Sequence, residues 1–262
     1  MVVGLMGCEK PLGYELPYEG DRLVVIGLLD PAEEITIHVS RTTSPVGPRP
    51  DSLTLDGALV KLFEDNGPPD TLLYKEAGYP DVSSAAVEIP DSVPIDGFSF
   101  QDSSLRGFNE GAAGQVDFTF TDPPGRGDHY RIKMTAIRDS IRGRVNFWRL
   151  GQAFAERDPC YYYYGAAIYL TDACFTASAQ TLYLGLETVF SNPDDFREIL
   201  KPKRIELRLE TLTADYYEHL RSLSQPTGFE HAFIDPSPLH GNVTGGYGVL
   251  GAVNTTVVTI EF

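Results

Sequence analysis

Apolar side chains fall on every second residue in stretch after stretch of this chain, and that period of two narrows the available folds more than any other feature. Ile205, Leu207 and Leu209 oppose Arg204, Glu206, Arg208 and Glu210, which is the pattern of a strand with one face buried and one in water. Val116, Phe118 and Phe120 alternate with Asp117 and Thr119, and Tyr130, Ile132, Met134 and Ala136 repeat the pattern. Ile35, Ile37 and Val39 do the same against Thr36 and His38. The run Leu23–Leu29 is apolar throughout and suits a strand covered on both faces, joined to 34–39 by a turn at Asp30-Pro31. Residues 58–62 and 71–74 supply two more strands around Asp65-Asn66-Gly67-Pro68. Others are expected at 144–150, 166–170, 182–186, 203–211 and 255–262.

One segment has another period. Tyr216, Leu220 and Leu223 recur at helical spacing, Thr213 can cap the start and Asp215 sits in the first turn. A short helix at about 213–223 is expected, lying on a sheet and stopped by Pro226 and Gly228. The glycine-rich stretch 242–248 reads as a tight turn near the core. The fold class is therefore mainly β. A small immunoglobulin-like β-sandwich over 21–92 is expected to precede a larger antiparallel β domain over 93–262, with 1–20 as an N-terminal tether. The 25 glycines and 19 prolines fit many turns rather than long helices. A formal charge of −16 disfavours nucleic acid and anionic lipid surfaces as partners.

No run of eighteen apolar residues exists, so no spanning helix is expected. The start is different: Leu5-Met6-Gly7-Cys8 resembles the lipobox at which bacterial lipoproteins are cut and acylated. In that resemblance Cys8 is the lipid attachment residue, and two or more acyl chains would anchor it stably. Only seven residues precede Cys8, too few for a full signal peptide, so an upstream start or a trimmed leader is expected. The competing reading is a tail with a chance cysteine. Cys160 and Cys174 are expected to form a disulfide in an oxidising compartment, against the alternative of two buried free thiols.

Four stretches carry a wider resemblance: 23–29, Phe120-Thr121-Asp122-Pro123-Pro124-Gly125 leading to His129-Tyr130-Arg131, 212–223, and 241–251. In this order and spacing the chain is similar to the domain-of-unknown-function family 4249, exported lipoproteins of Bacteroidota. The resemblance implies an outer-membrane lipoprotein, working beside a receptor in nutrient uptake, with no known catalytic residues. Only Cys8 is carried over as a functional position.

The residues offer little chemistry of their own. GxSxG, P-loop and dinucleotide patterns are absent, and neither CxxC nor HxxxH occurs, so no catalytic residue, metal ligand or cofactor is expected. His231 and His240, with Asp235 between them, are the best pair for a base or metal, though a loop role is favoured. His38 and His129 are placed on the water side of strands. Arg126-Gly127-Asp128 reads as a turn between strands. Tyr161, Tyr162, Tyr163 and Tyr164 are the most unusual local feature, with one pair of rings expected inside and the other exposed, where it either covers another part of the fold, the favoured reading, or faces a ligand. The reading is a non-enzymatic accessory binding protein. An envelope-glycan hydrolase and a purely structural uptake subunit are the alternatives.

Overall fold

The computed structural model describes residues 20–44, 55, 59–63, 70–72, 85–102, 113–124, 127–139, 141–149, 160–164, 166–175, 179–189, 202–224 and 239–261. Thirteen strands carry it: β1 (Leu23–Leu29), β2 (Thr36–Arg41), β3 (Val60–Leu62), β4 (Asp70–Leu72), β5 (Ile95–Asp102), β6 (Ala113–Thr121) and β7 (His129–Arg138), then β8 (Ile141–Arg149), β9 (Tyr161–Tyr164), β10 (Ala167–Thr171), β11 (Ala179–Val189), β12 (Arg204–Leu212) and β13 (Tyr247–Glu261). Among the described residues there is one α-helix, α1 (Ala214–Leu223), and it lies where the helical period stands in the sequence. The chain is mainly β, with antiparallel sheets. No described helix is long and apolar enough to cross a membrane.

The main sheet runs β2-β1-β13-β12-β7-β8-β11-β6-β5, with β10 paired to β7 and β9 to β10. Strand β7 divides one of its edges: His129 to Lys133 pair with β10, and Thr135 to Arg138 with β8. The sheet curls so that one face becomes an interior. There Val116, Phe118 and Phe120 of β6 meet Leu182, Leu184 and Leu186 of β11, Tyr130 and Ile132 of β7, and Ile205, Leu207 and Leu209 of β12. These are the positions the alternation selects. The curl brings the approach to β5 against β13, where Thr256 Oγ1 donates to the Val93 carbonyl at 2.8 Å and Asn254 Nδ2 to that of Pro90 at 3.1 Å.

β1 and β2 pair antiparallel across the Asp30-Pro31 turn, where Ala32 N–H donates to the Asp30 carboxylate at 2.9 Å. β3 and β4 form a separate two-stranded sheet, and residues 64–69 between them lie outside the described residues. The chain's last strand departs from expectation. β13 begins at Tyr247, not near Thr255, and its first half pairs parallel with β1 while its second half pairs with β12. One strand thus joins the N-terminal strands to the larger sheet. Residues 249–253 lost the period of two because they are covered on both sides. Leu250 and Ala252 pack with Leu29, whereas Val253 faces α1. Ile26 breaks the expectation for β1, being 43% exposed in the middle of the apolar run.

Cys160 is buried and disulfide-bonded. Its carbonyl accepts from Thr171 N–H at 3.2 Å, and the single 3-10 turn Asp172–Cys174 follows directly. We propose Cys174 as the partner, which non-reducing peptide mapping checks. Reducing that bridge is expected to cost about 3 kcal/mol for a loop of this size. An unchanged melting temperature on reduction would show that the bond does not hold the β9–β10 hairpin in place.

Candidate functional site

The outer face of the sheet becomes distinctive where α1 crosses it. Thr213 precedes the helix as expected, yet its hydroxyl makes no cap bond and instead accepts from Ala252 N–H at 3.2 Å, tying the helix start to β13. A β-carbon on Gly251 would stand 2.5 Å from the Tyr216 Cβ, so only glycine lets the helix sit this close. Below it Tyr217 and Leu220 pack with Leu212, Val253, Ala167 and Tyr169. Leu223, assigned to the inward stripe from its spacing, is 37% exposed in the last turn of the helix, and Tyr217 takes the deepest place.

His129 is covered by that helix rather than by water. Its ring lies 4.3 Å from that of Tyr217, and burial lowers its pKa below 6.5. The sign is set by the unfolded chain, which binds the proton more readily. Stability is full above pH 6.5 and falls as pH drops through that value toward the lower folded-state pKa. His129→Gln is expected to flatten the dependence of melting temperature on pH between about 7 and 5. An unaltered slope would contradict this.

Beside Tyr217 lies a buried charge cluster. Arg131 and Glu210, 5% and 4% exposed, face each other across the β7–β12 register and form a hydrogen-bonded ion pair. Lys133 Nζ reaches the same carboxylate at 3.1 Å, and the Arg131 guanidinium lies 5.6 Å from the centre of the Tyr216 ring. Burial, reinforced by the neighbouring arginines 131 and 208, pushes the Lys133 ammonium below its ordinary pKa.

The other polar groups around α1 hold the chain together. Asp215 accepts from Asn242 Nδ2 at 3.1 Å and meets His240 Nε2 at 2.8 Å. Asn242 also bonds both backbone groups of Leu250 at 2.9 Å. His219 Nδ1 meets the His240 carbonyl at 2.6 Å, and Ser222 Oγ accepts from His240 N–H at 3.2 Å. The pairing His231 with His240 falls partly outside the described residues, as do His231 and Asp235 themselves. Within them, the partner of His240 is an acid 25 residues earlier, on the helix.

The four tyrosines divide unevenly. Tyr161 packs against the interior, and Tyr162 stacks on Tyr169 at 4.5 Å with its hydroxyl donating to the Tyr217 carbonyl at 3.4 Å. Tyr163 and Tyr164 are 44% and 37% exposed. The buried rings are neighbours rather than alternate residues, because β9 runs out from under α1 toward its hairpin turn at Ala166. Cys8 lies outside the described residues.

One oxygen from each of Asp122, Asp128 and Asp172 lies within 4.8 Å of the others. The buried Asp122 already accepts from the Tyr130 hydroxyl at 2.5 Å, so part of this trio serves the interior, and three acids alone do not define a metal centre.

Fold and site together define a mainly β protein whose single described helix seals a curled sheet next to an outward-facing tyrosine hairpin. The family model described as a domain of unknown function, DUF4249, matches residues 9–259, and the chain belongs to that family. A search of curated proteins gives no match. Parts of all four stretches that carried the resemblance meet at this junction, the second through His129 and Arg131. β1 pairs with the start of β13, α1 packs on both, and Arg131 and His129 lie beneath Tyr216 and Tyr217.

Proposed function

We propose that this protein is a non-enzymatic, lipid-anchored accessory of the cell envelope, which binds a ligand or receptor partner for an outer-membrane uptake system. The observation that carries the binding role is the β9–β10 hairpin. Two of its tyrosines are fixed inside the fold, and the next two, Tyr163 and Tyr164, stand exposed on that rigid base, one on each face of the strand. Rigid aromatic rings bury contact area at little entropic cost. The acid and imidazole of Asp215 and His240 support a binding body over a hydrolase, because both are engaged in clamping residues 239–242 to α1 and β13. The lipobox-like Leu5-Met6-Gly7-Cys8 supports the anchor.

Anchoring is tested in cells carrying the gene with its own upstream sequence. The wild type is expected in the detergent phase of a membrane fractionation, and Cys8→Ser in the aqueous phase. Equal partitioning of the two forms would remove the anchor from the proposal. Crosslinking at Tyr163 or Tyr164 in the same membranes is expected to capture a partner or glycan, and capture from a distant strand alone would move the binding surface elsewhere.

A further inference from the structure

Two cross-strand rows cross the outer face beneath and beside α1. The first, Tyr162, Tyr169, Arg131 and Glu210, is largely hidden at the helix. The next is Tyr164 on β9, Ala167 on β10, Lys133 on β7, Arg208 on β12 and Val257 on β13, each opposite its neighbour in the register. Lys133 and Arg208 are therefore like charges directly facing one another, an arrangement that costs stability on a sheet. Their counter-charges are already engaged. Glu210 is shared between Arg131 and Lys133, and Glu206 between Arg204 at 3.4 Å and Arg208 at 3.8 Å, so two carboxylates serve four cations. The Lys133 and Arg208 side chains keep 39% and 29% exposure, so both can reach a solute. A cationic centre of this kind stands out on a chain of net charge −16.

We propose that Lys133 and Arg208 together bind the carboxylate of an acidic glycan, one of whose sugar rings lies on Tyr164. A carboxylate between the two cations offsets their repulsion and gains charge-assisted hydrogen bonds from both. Two strand spacings, roughly 10 Å, separate Tyr164 from Lys133, which suits linked pyranose rings. Lys133 and Arg208 lie in mid-sheet, where the ladder has already used the backbone of β7 and β12 on both sides, although Tyr164 stands on the edge strand β9. An added peptide strand would find no main-chain partners there, whereas a glycan needs only the side chains. This assignment names the ligand class for the binding role proposed above and rests on that reading. It does not depend on the anchor, which the fractionation tests separately.

Titration calorimetry of the purified full chain at low salt tests it, using trigalacturonate, its neutral methyl ester and hexaglutamate. The wild type is expected to bind trigalacturonate and neither of the others. Arg208→Gln is expected to weaken binding about tenfold, the loss of one charge-assisted contact. Arg208→Lys should retain most of the affinity, and Tyr164→Ala should weaken it with an unchanged melting temperature. Failure of the wild type to bind trigalacturonate, equal affinity in the variants, or preference for hexaglutamate would each overturn the proposal. The crosslinking at Tyr163 and Tyr164 distinguishes loss of this ligand class from loss of the binding role.

Discussion

Glu210→Leu is expected to destabilise the fold by about 3–5 kcal/mol, because it strands the Arg131 guanidinium at 5% exposure without its carboxylate. For a chain of this size that is a fall of roughly 10 °C in melting temperature. Lys133 also loses a counter-charge but is partly exposed, so it contributes less to the loss. Combining Glu210→Leu with Arg131→Met removes both buried charges and is expected to recover most of the stability. Denaturant unfolding of the two singles and the double closes the cycle. Additive losses in the double would show that the pair is not coupled and that the destabilisation comes from packing under α1.

The second large effect belongs to the seam between β1 and β13. Gly248 has φ +109°, and a β-carbon there would stand 2.0 Å from the Val25 carbonyl oxygen. Backbone rather than a movable side chain blocks the space, so Gly248→Val must separate the strands as well as adopt a disfavoured conformation. A loss of about 3 kcal/mol or more is expected. Gly127→Ala, with nothing within 4 Å of the added carbon, is the control and should stay within about 0.5 kcal/mol of wild type. Equal effects at the two positions would mean that the parallel pairing contributes little.

The parts of this fold legible in the sequence are those with one face in water. Ile205, Leu207 and Leu209 alternate with charged residues and line the interior, as do Val116, Phe118 and Phe120. The helix was legible because Tyr216, Leu220 and Leu223 are spaced by four and then three, and the odd step excludes one face of a strand. Residues 249–253 hid their strand, since burial between α1, which Gly251 lets come close, and the Leu29 cluster removes the polar alternate positions. β5 was also missed, because a bulge between Ile95 and Gly97 puts Ile95 out of phase with the alternating Phe98 and Phe100. Asp215, Asn242 and His240 meet only through tertiary packing, so nearness along the chain pointed instead to His231. The Lys133 and Arg208 pairing needs the β7–β12 register, which alternation alone does not supply.

The anchor is the claim on which the cellular role turns, and mass spectrometry of the N-terminal peptide from the native host tests it most directly. The account predicts a chain beginning at Cys8 with fatty acids on its thiol and amine. An unacylated Cys8 in a protein recovered from the membrane would contradict it.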